Sequence, residues 1–302
     1  MKLSDLDTMP PLERRSFEGI WLPMVTPLRD GRIDNAAARA LARIYRDAGV
    51  AGLVLFGTTG EGNLLRNAEK TALLEAIRDD QHALPIVIGV GGIDTRDMVQ
   101  DIRCLDRLAP AGYLIAPPCY LRPSQEGIVW HYRQMAQATH RPIVVYDIPE
   151  RTGVAISLQT LAELSHSPQF AAVKECSTVM MSEINRRSDL MPALCGTDSW
   201  LLDHFSTGGR GAMPASAHIR PDLFVALHRA SRAGDADTAA ELFGALKPLI
   251  DALFSEPNPA PVKRALALQG LIADELRPPM MPASDALTRT LRPLLQEYAD
   301  HA

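Results

Sequence analysis

Pro142-Ile-Val-Val-Tyr146, then Ser157-Leu-Gln-Thr-Leu-Ala-Glu-Leu164, then Phe170-Ala-Ala-Val-Lys174: these three segments decide how the chain folds. The first and third are too short for helices. They are apolar without alternation, which is how a strand covered on both faces reads. The middle segment carries leucines at helical spacing behind a serine suited to cap it. Strand, helix and strand therefore follow one another.

The same alternation extends in both directions. Strand-like runs occur at Ile20–Val25, Gly52–Phe56, Pro85–Val90, Gly112–Ala116, Ala193–Gly196 and Gly211–Ala215. Helix-period segments lie between them at Asn35–Asp47, Ala68–Asp80, Thr95–Leu108 and Gln125–Ala138. Asp34 or Asn35, Asp94, Ser124 and Ser157 are placed to cap helices. Eight strand–helix units of about 25 to 30 residues predict an α/β fold, a (β/α)8 TIM barrel. The competitor is a doubly wound sheet, but no Gly-x-Gly-x-x-Gly follows the first strand. Gly89-Val-Gly-Gly92 has another spacing and reads as a strand-to-loop turn. Past the barrel, Pro-rich breaks at Pro257–Pro261 and Pro278–Pro282 separate three further helices. The expected division is an N-terminal extension over 1–18, the barrel over 19–232 and a C-terminal helical extension over 233–302.

Composition agrees and narrows the function. Of 302 residues, 46% are hydrophobic, enough for a large core, so disorder is excluded as the main state. Lys and Arg total 31 against 36 acidic residues, a net charge of −5. That balance offers no basic field for nucleic acid or an anionic membrane. Met1–Phe17 mixes charges and has no apolar segment, and no run approaches the roughly 18 apolar residues of a membrane span. Cys104, Cys119, Cys176 and Cys195 are scattered and read as reduced thiols. The eight histidines lack metal-ligand spacing. A cytoplasmic protein is expected.

In a barrel of this kind, chemistry gathers where strands end at their C-terminal face. The second strand runs into Gly57-Thr58-Thr59-Gly60-Glu61, the fifth ends at Tyr146 before Asp147-Ile-Pro-Glu-Arg151-Thr-Gly153, and the sixth ends at Lys174-Glu175. Only five lysines exist, at 2, 70, 174, 247 and 263, and only Lys174 ends an apolar strand. Desolvation there is expected to lower its pKa and free the amine to attack a carbonyl. Tyr146, one strand away, can pass protons. Thr58 and Thr59 offer hydroxyls and backbone amides to a carboxylate, and Arg151 can clamp a second one. Each signal alone has a plain structural reading: an ion-paired lysine, a core tyrosine, an ordinary turn, a solvated arginine. Thr207-Gly-Gly-Arg-Gly211 reads as a tight turn rather than a phosphate site.

Together these motifs resemble the dihydrodipicolinate synthase and N-acetylneuraminate lyase family of Schiff-base aldolases. The resemblance runs from Gly19 to about Leu295 and includes Cys119-Tyr120-Leu-Arg-Pro123 and Asn258-Pro-Ala-Pro-Val-Lys263. It implies that Lys174 condenses with pyruvate. It further implies a proton relay of Tyr146, Thr58 and Tyr120, the last lent across a dimer interface. Thr59 would hold the pyruvate carboxylate, Gly196 would leave room beside the imine, and Arg151 would bind the carboxylate of aspartate semialdehyde. The implied cofactor is none beyond the covalent pyruvate imine, with no metal; the implied partners are pyruvate, a carboxylated aldehyde and further copies of the chain, as a dimer or dimer of dimers. The threonine at 58 and arginine at 151 resemble the synthases, which make 4-hydroxytetrahydrodipicolinate for lysine and diaminopimelate, more than the sialic acid lyases.

The chain also departs from the family pattern. Cys176-Ser-Thr-Val179 follows the lysine, and Gly211-Ala-Met213-Pro214 enters the eighth strand. Met213 and Pro214 beside the imine would reshape the pocket for the second substrate. Asn67, Lys70, Ile93 and Cys119 stand where lysine-inhibited members carry other residues, so inhibition by lysine is not expected. These changes also suit another 2-oxo-acid aldolase or dehydratase on the same barrel. A non-catalytic barrel that kept the pocket is the remaining class.

Overall fold

The computed structural model describes residues 17–78 and 83–300. Of the expected N-terminal extension, all but Phe17 and Glu18 lies outside the described residues, as do the last two positions of the expected helix at 68–80. Eight strands are all parallel and close on themselves. They are β1 (Gly19–Pro23), β2 (Gly52–Leu55), β3 (Ile86–Val90), β4 (Gly112–Ile115), β5 (Ile143–Asp147), β6 (Phe170–Glu175), β7 (Ala193–Cys195) and β8 (Gly211–Ala212). β8 pairs with β1, Gly19 opposite Gly211, and completes the ring. After these strands come α1 (Asn35–Asp47), α2 (Asn67–Arg78), α3 (Thr95–Asp106), α4 (Gln125–Ala138), α5 (Leu158–Ser165), α6 (Thr178–Asn185), α7 (Leu201–Ser206) and α8 (Pro221–Ala233). The fold is the (β/α)8 barrel that the sequence predicts.

Two cores explain the lack of alternation. Trp21, Val54, Val87, Leu114, Val144, Ala172 and Leu194 fill the barrel interior. Their strand neighbours, among them Leu22, Leu53, Ile88, Ile143 and Val145, pack outward in the core that includes the helices. Successive strand residues point to opposite faces, and here both faces are dry. Trp21 fills one end of the interior and packs on Phe17, ring centres 5.0 Å apart. A Cβ at Gly52 would fall 2.4 Å from the Trp21 ring, so β2 opens with glycine to admit the indole.

The expected caps are in place. Asp34, Asp94, Ser124 and Ser157 accept from the backbone N–H of Ala37, Arg96, Gly127 and Thr160. Such caps each stabilise a helix by about 1 kcal/mol. β8 is shorter than the apolar run suggested. Met213 N–H still reaches Cys195 O at 2.9 Å, but Pro214 has no N–H with which to extend the ladder.

Three helices follow the barrel: α9 (Ala236–Leu253), α10 (Ala260–Leu268) and α11 (Asp285–Asp300). Lys263, fully buried, pairs with Glu61 and donates to Glu275 O at 2.9 Å. Glu61 also accepts from Arg277 N–H at 2.8 Å. The C-terminal segment is thereby bolted onto the loop after β2. No helix among the described residues is long and apolar enough to cross a membrane.

Candidate active site

Lys174 and Tyr146 are register partners on β6 and β5, one residue before each strand ends. Both side chains are buried, and Lys174 Nζ lies 4.6 Å from the centre of the Tyr146 ring. They face a cavity of about 780 Å³ at the C-terminal mouth of the barrel. Thr58 and Thr59 from the β2 loop, Arg151 from the β5 loop, Gly196 after β7 and Met213 after β8 line the same cavity. The fold thus brings together seven residues singled out from the sequence, spread over 156 positions.

The surroundings of Lys174 are not those expected. Desolvation does depress its pKa, but Tyr146, Cys176 and Asp198 around it raise it more, and the net shift is upward. The expectation of a lowered lysine is therefore corrected: the amine rests as ammonium and must hand off a proton before it can attack. Tyr146 stands beside it with its own pKa raised by burial, against the pull of Lys174 and of a hydrogen bond with Thr58. Burial alone also fails to single out Lys174, since Lys70 and Lys263 are buried as well. What distinguishes Lys174 is the open cavity in front of it. Gly196 keeps that space open: a Cβ there would lie 3.2 Å from Lys174 Cε and 2.7 Å from Cys176 Sγ.

Arg151 is exposed at the mouth and has no ion pair among the described residues. Tyr120 stands apart. It does not line the cavity of its own chain, is 84% exposed, and sits at φ +71°, a left-handed conformation unusual for an aromatic residue. Exposed Leu121 and Ile93 accompany it, and Cys119 N–H bonded to Gly92 O joins their two loops. A second cavity, of about 260 Å³, opens between Cys119 and the group of Thr58, Tyr146 and Arg151.

Two neighbours escaped the sequence reading, and a third, Cys176, was marked there only as a departure from the family pattern. Asn258 Nδ2 donates to Thr59 Oγ1 at 2.9 Å, so the Thr59 hydroxyl keeps its own proton for a group in the cavity. Asp198, buried, accepts from Ser216 N–H and O–H at 2.8 and 2.6 Å, and burial lifts its pKa to about 6. The Cys176 thiol, pushed up to about 12 by burial, is a neutral wall of the pocket. Asn258 was visible within its tail motif, and Asp198 two positions past Gly196. No local pattern assigned either a partner. No metal-ligating cluster occurs among the described residues.

A closed parallel barrel with a buried lysine against a tyrosine, flanked by hydroxyls and an unpaired arginine, defines the class: a barrel lyase with a lysine-centred pocket. Residues 16–298 match the model of the Dihydrodipicolinate synthetase family, and the chain belongs to that family. It is 36% identical over 284 residues to 4-hydroxy-tetrahydrodipicolinate synthase 2 of Clostridium acetobutylicum, covering 92% of this chain and 99% of that one. Among solved structures it resembles a monomeric dihydrodipicolinate synthase variant, with TM-score 0.90 and 30% identity over 95% of this chain and 98% of the other. It also resembles the chloride-inhibited enzyme of Acinetobacter baumannii complexed with pyruvate, with TM-score 0.89 and 29% identity over 94% and 99%.

Proposed function

We propose that this lyase condenses pyruvate with L-aspartate 4-semialdehyde to give 4-hydroxytetrahydrodipicolinate. The observation that carries the reading is Lys174 Nζ, 4.6 Å from the Tyr146 ring, at the base of a cavity that also holds Thr58, Thr59 and an unpaired Arg151. An amine, a phenol and two separate sites for carboxylates are the parts that joining two carbonyl acids requires.

Lys174 loses a proton and attacks the pyruvate carbonyl; water leaves, and a C=N bond to Nζ replaces the C=O. Tyr146 supplies the proton that turns the carbinolamine hydroxyl into water, and Thr58 passes protons to and from the phenol. Thr59, its hydroxyl oxygen already accepting from Asn258, donates to the pyruvate carboxylate. The methyl carbon, losing a proton through the imine to the phenol relay, then adds to the aldehyde, whose own carboxylate Arg151 holds and whose oxygen takes up a proton. The semialdehyde's amine next attacks the imine carbon, and Lys174 Nζ leaves as the ring closes. Tyr120 completes the relay from a second copy of the chain, its phenol entering the neighbour's cavity of about 260 Å³ beside Thr58. The exposed aromatic ring, held in a costly backbone conformation of about 1–3 kcal/mol, supports that assignment. No cofactor is needed beyond the covalent imine.

Borohydride reduction in the presence of pyruvate should add mass at Lys174, and the Lys174→Arg protein should take up none. Turnover with pyruvate and aspartate semialdehyde tests the second half. Trapping without detectable product would reject the semialdehyde and favour another 2-oxo-acid aldolase or dehydratase. Met213 and Cys176 in the pocket wall are the observation on the side of that second reading.

A further inference from the structure

Behind Tyr146 and Lys174, on the opposite face of the same two strands, stand Asp147 and Glu175. They are register partners, and each is fully buried. Asp147 Oδ2 accepts from Ile156 N–H at 3.2 Å, across the loop that carries Arg151. Glu175 Oε1 accepts from Ser177 N–H at 2.7 Å, across the turn that carries Cys176. The other oxygens, Asp147 Oδ1 and Glu175 Oε2, are buried without a donor of their own, and the strand register sets the two acids side by side. Two carboxylate oxygens can bond only if one carries a proton. Neither acid has a salt bridge among the described residues.

We propose that Asp147 and Glu175 share one proton as a clasp that fixes the Arg151 loop to the Cys176 turn, and so sets the two sides of the pocket against each other. Both are positioning residues, since neither reaches the cavity. The proposal rests on reading Lys174 and Arg151 as the two ends of the site.

The direction of titration agrees with the geometry. Burial, with the carboxyl of Asp147 adding to it, lifts Glu175 to about 8, and burial lifts Asp147 to about 6. The other titratable groups acting on the pair are the Cys176 thiol and the Tyr132 phenol on α4, both pushed up by burial and neutral throughout. In the unfolded chain the two acids revert towards 4.5 and 3.8. Between roughly pH 4.5 and 8 the folded protein therefore binds more protons than the unfolded one. The stability the clasp contributes is present at low pH and lost as pH rises through about 8.

Single amide variants separate this from ordinary packing. In Asp147→Asn the oxygen serves Ile156 and the NH2 donates to Glu175 at every pH; Glu175→Gln does the converse. In the double variant two NH2 groups face each other, or one backbone N–H loses its acceptor. Wild-type kcat/KM for the aldehyde should fall above about pH 8. Either single variant should move that fall upward by about one pH unit or more. The double variant at pH 7 should be about tenfold below either single one. Infrared difference spectra of wild type minus each single variant at pH 6.5, in which the band of Asp198 cancels, should show a buried protonated carboxyl that is lost on raising the pH. A double variant equal to the singles, an unmoved alkaline fall, or no protonated carboxyl would each overturn the clasp. The infrared band is read without turnover, so it stands even if pyruvate fails to trap on Lys174, a failure that instead removes the lysine reading.

Discussion

At the scale of single residues, the mouth of the barrel joins a lysine that rests charged to a tyrosine that rests neutral. Lys174 is raised against its own desolvation, and Tyr146 is raised by burial. Near neutral pH the phenol is thus a proton donor already 4.6 Å from the amine, measured to the ring centre. Tyr146→Phe keeps the ring and the packing but removes the proton. Turnover should drop by about 10² to 10⁴, the span of a positioned acid–base group, while the protein still folds. Steady-state kinetics beside a wild-type melting curve would decide; a rate within twofold of wild type would end the relay. Lys174 was legible in the sequence because one lysine ends one apolar strand. Its charge state was not, because Asp198, 24 positions further on, approaches it only through the closure of the barrel. Asn258 was equally hidden, since its bond to Thr59 spans 199 positions.

At the scale of elements, what the sequence shows best is what local chemistry decides. Helices α1 and α4 have the ends read from periodicity, because Asp34 and Ser124 cap them through bonds of three residues' reach. β8 was read too long because Ala212, Met213 and Ala215 are apolar whether or not they pair. The attachment of the C-terminal helices to the barrel was not legible at all: Lys263 and Glu61 are 202 positions apart. Their ion pair is almost fully dry, with side-chain exposures of 0% and 2%. Removing one partner of such a pair strands a buried charge, at a cost of about 3–5 kcal/mol. Lys263→Met should therefore lower unfolding free energy by that amount in chemical denaturation. Adding Glu61→Gln should recover part of the loss. A change below about 1 kcal/mol would show that water already reaches Glu61. The same loop carries Thr58 and Thr59, so the variant should also weaken pyruvate capture.

At the scale of the whole molecule, the proposed relay reaches beyond one chain. Seven of the predicted residues line one cavity, and the eighth, Tyr120, does not line it and is 84% exposed, as are its neighbours Leu121 and Ile93 in lesser degree. The cavity of about 260 Å³ on the far side of Thr58 is bounded by Cys119, the residue next to Tyr120, so the same surface carries both the ring and a place for a ring. A surface that holds both is self-complementary, which is what a two-fold interface demands. If Tyr120 of the partner subunit completes each site, two inactive proteins should rescue each other. In Lys174→Arg no imine forms, and in Tyr120→Phe the relay is broken. A mixed dimer has one site missing both groups and one site with both intact. Random mixing makes half of the dimers mixed, each with one complete site of two, so activity should return to about a quarter of wild type. Unfolding and refolding the equimolar mixture together, then assaying turnover, measures this. Activity no greater than the sum of the two separate proteins would place Tyr120 outside the relay and leave each chain to act alone.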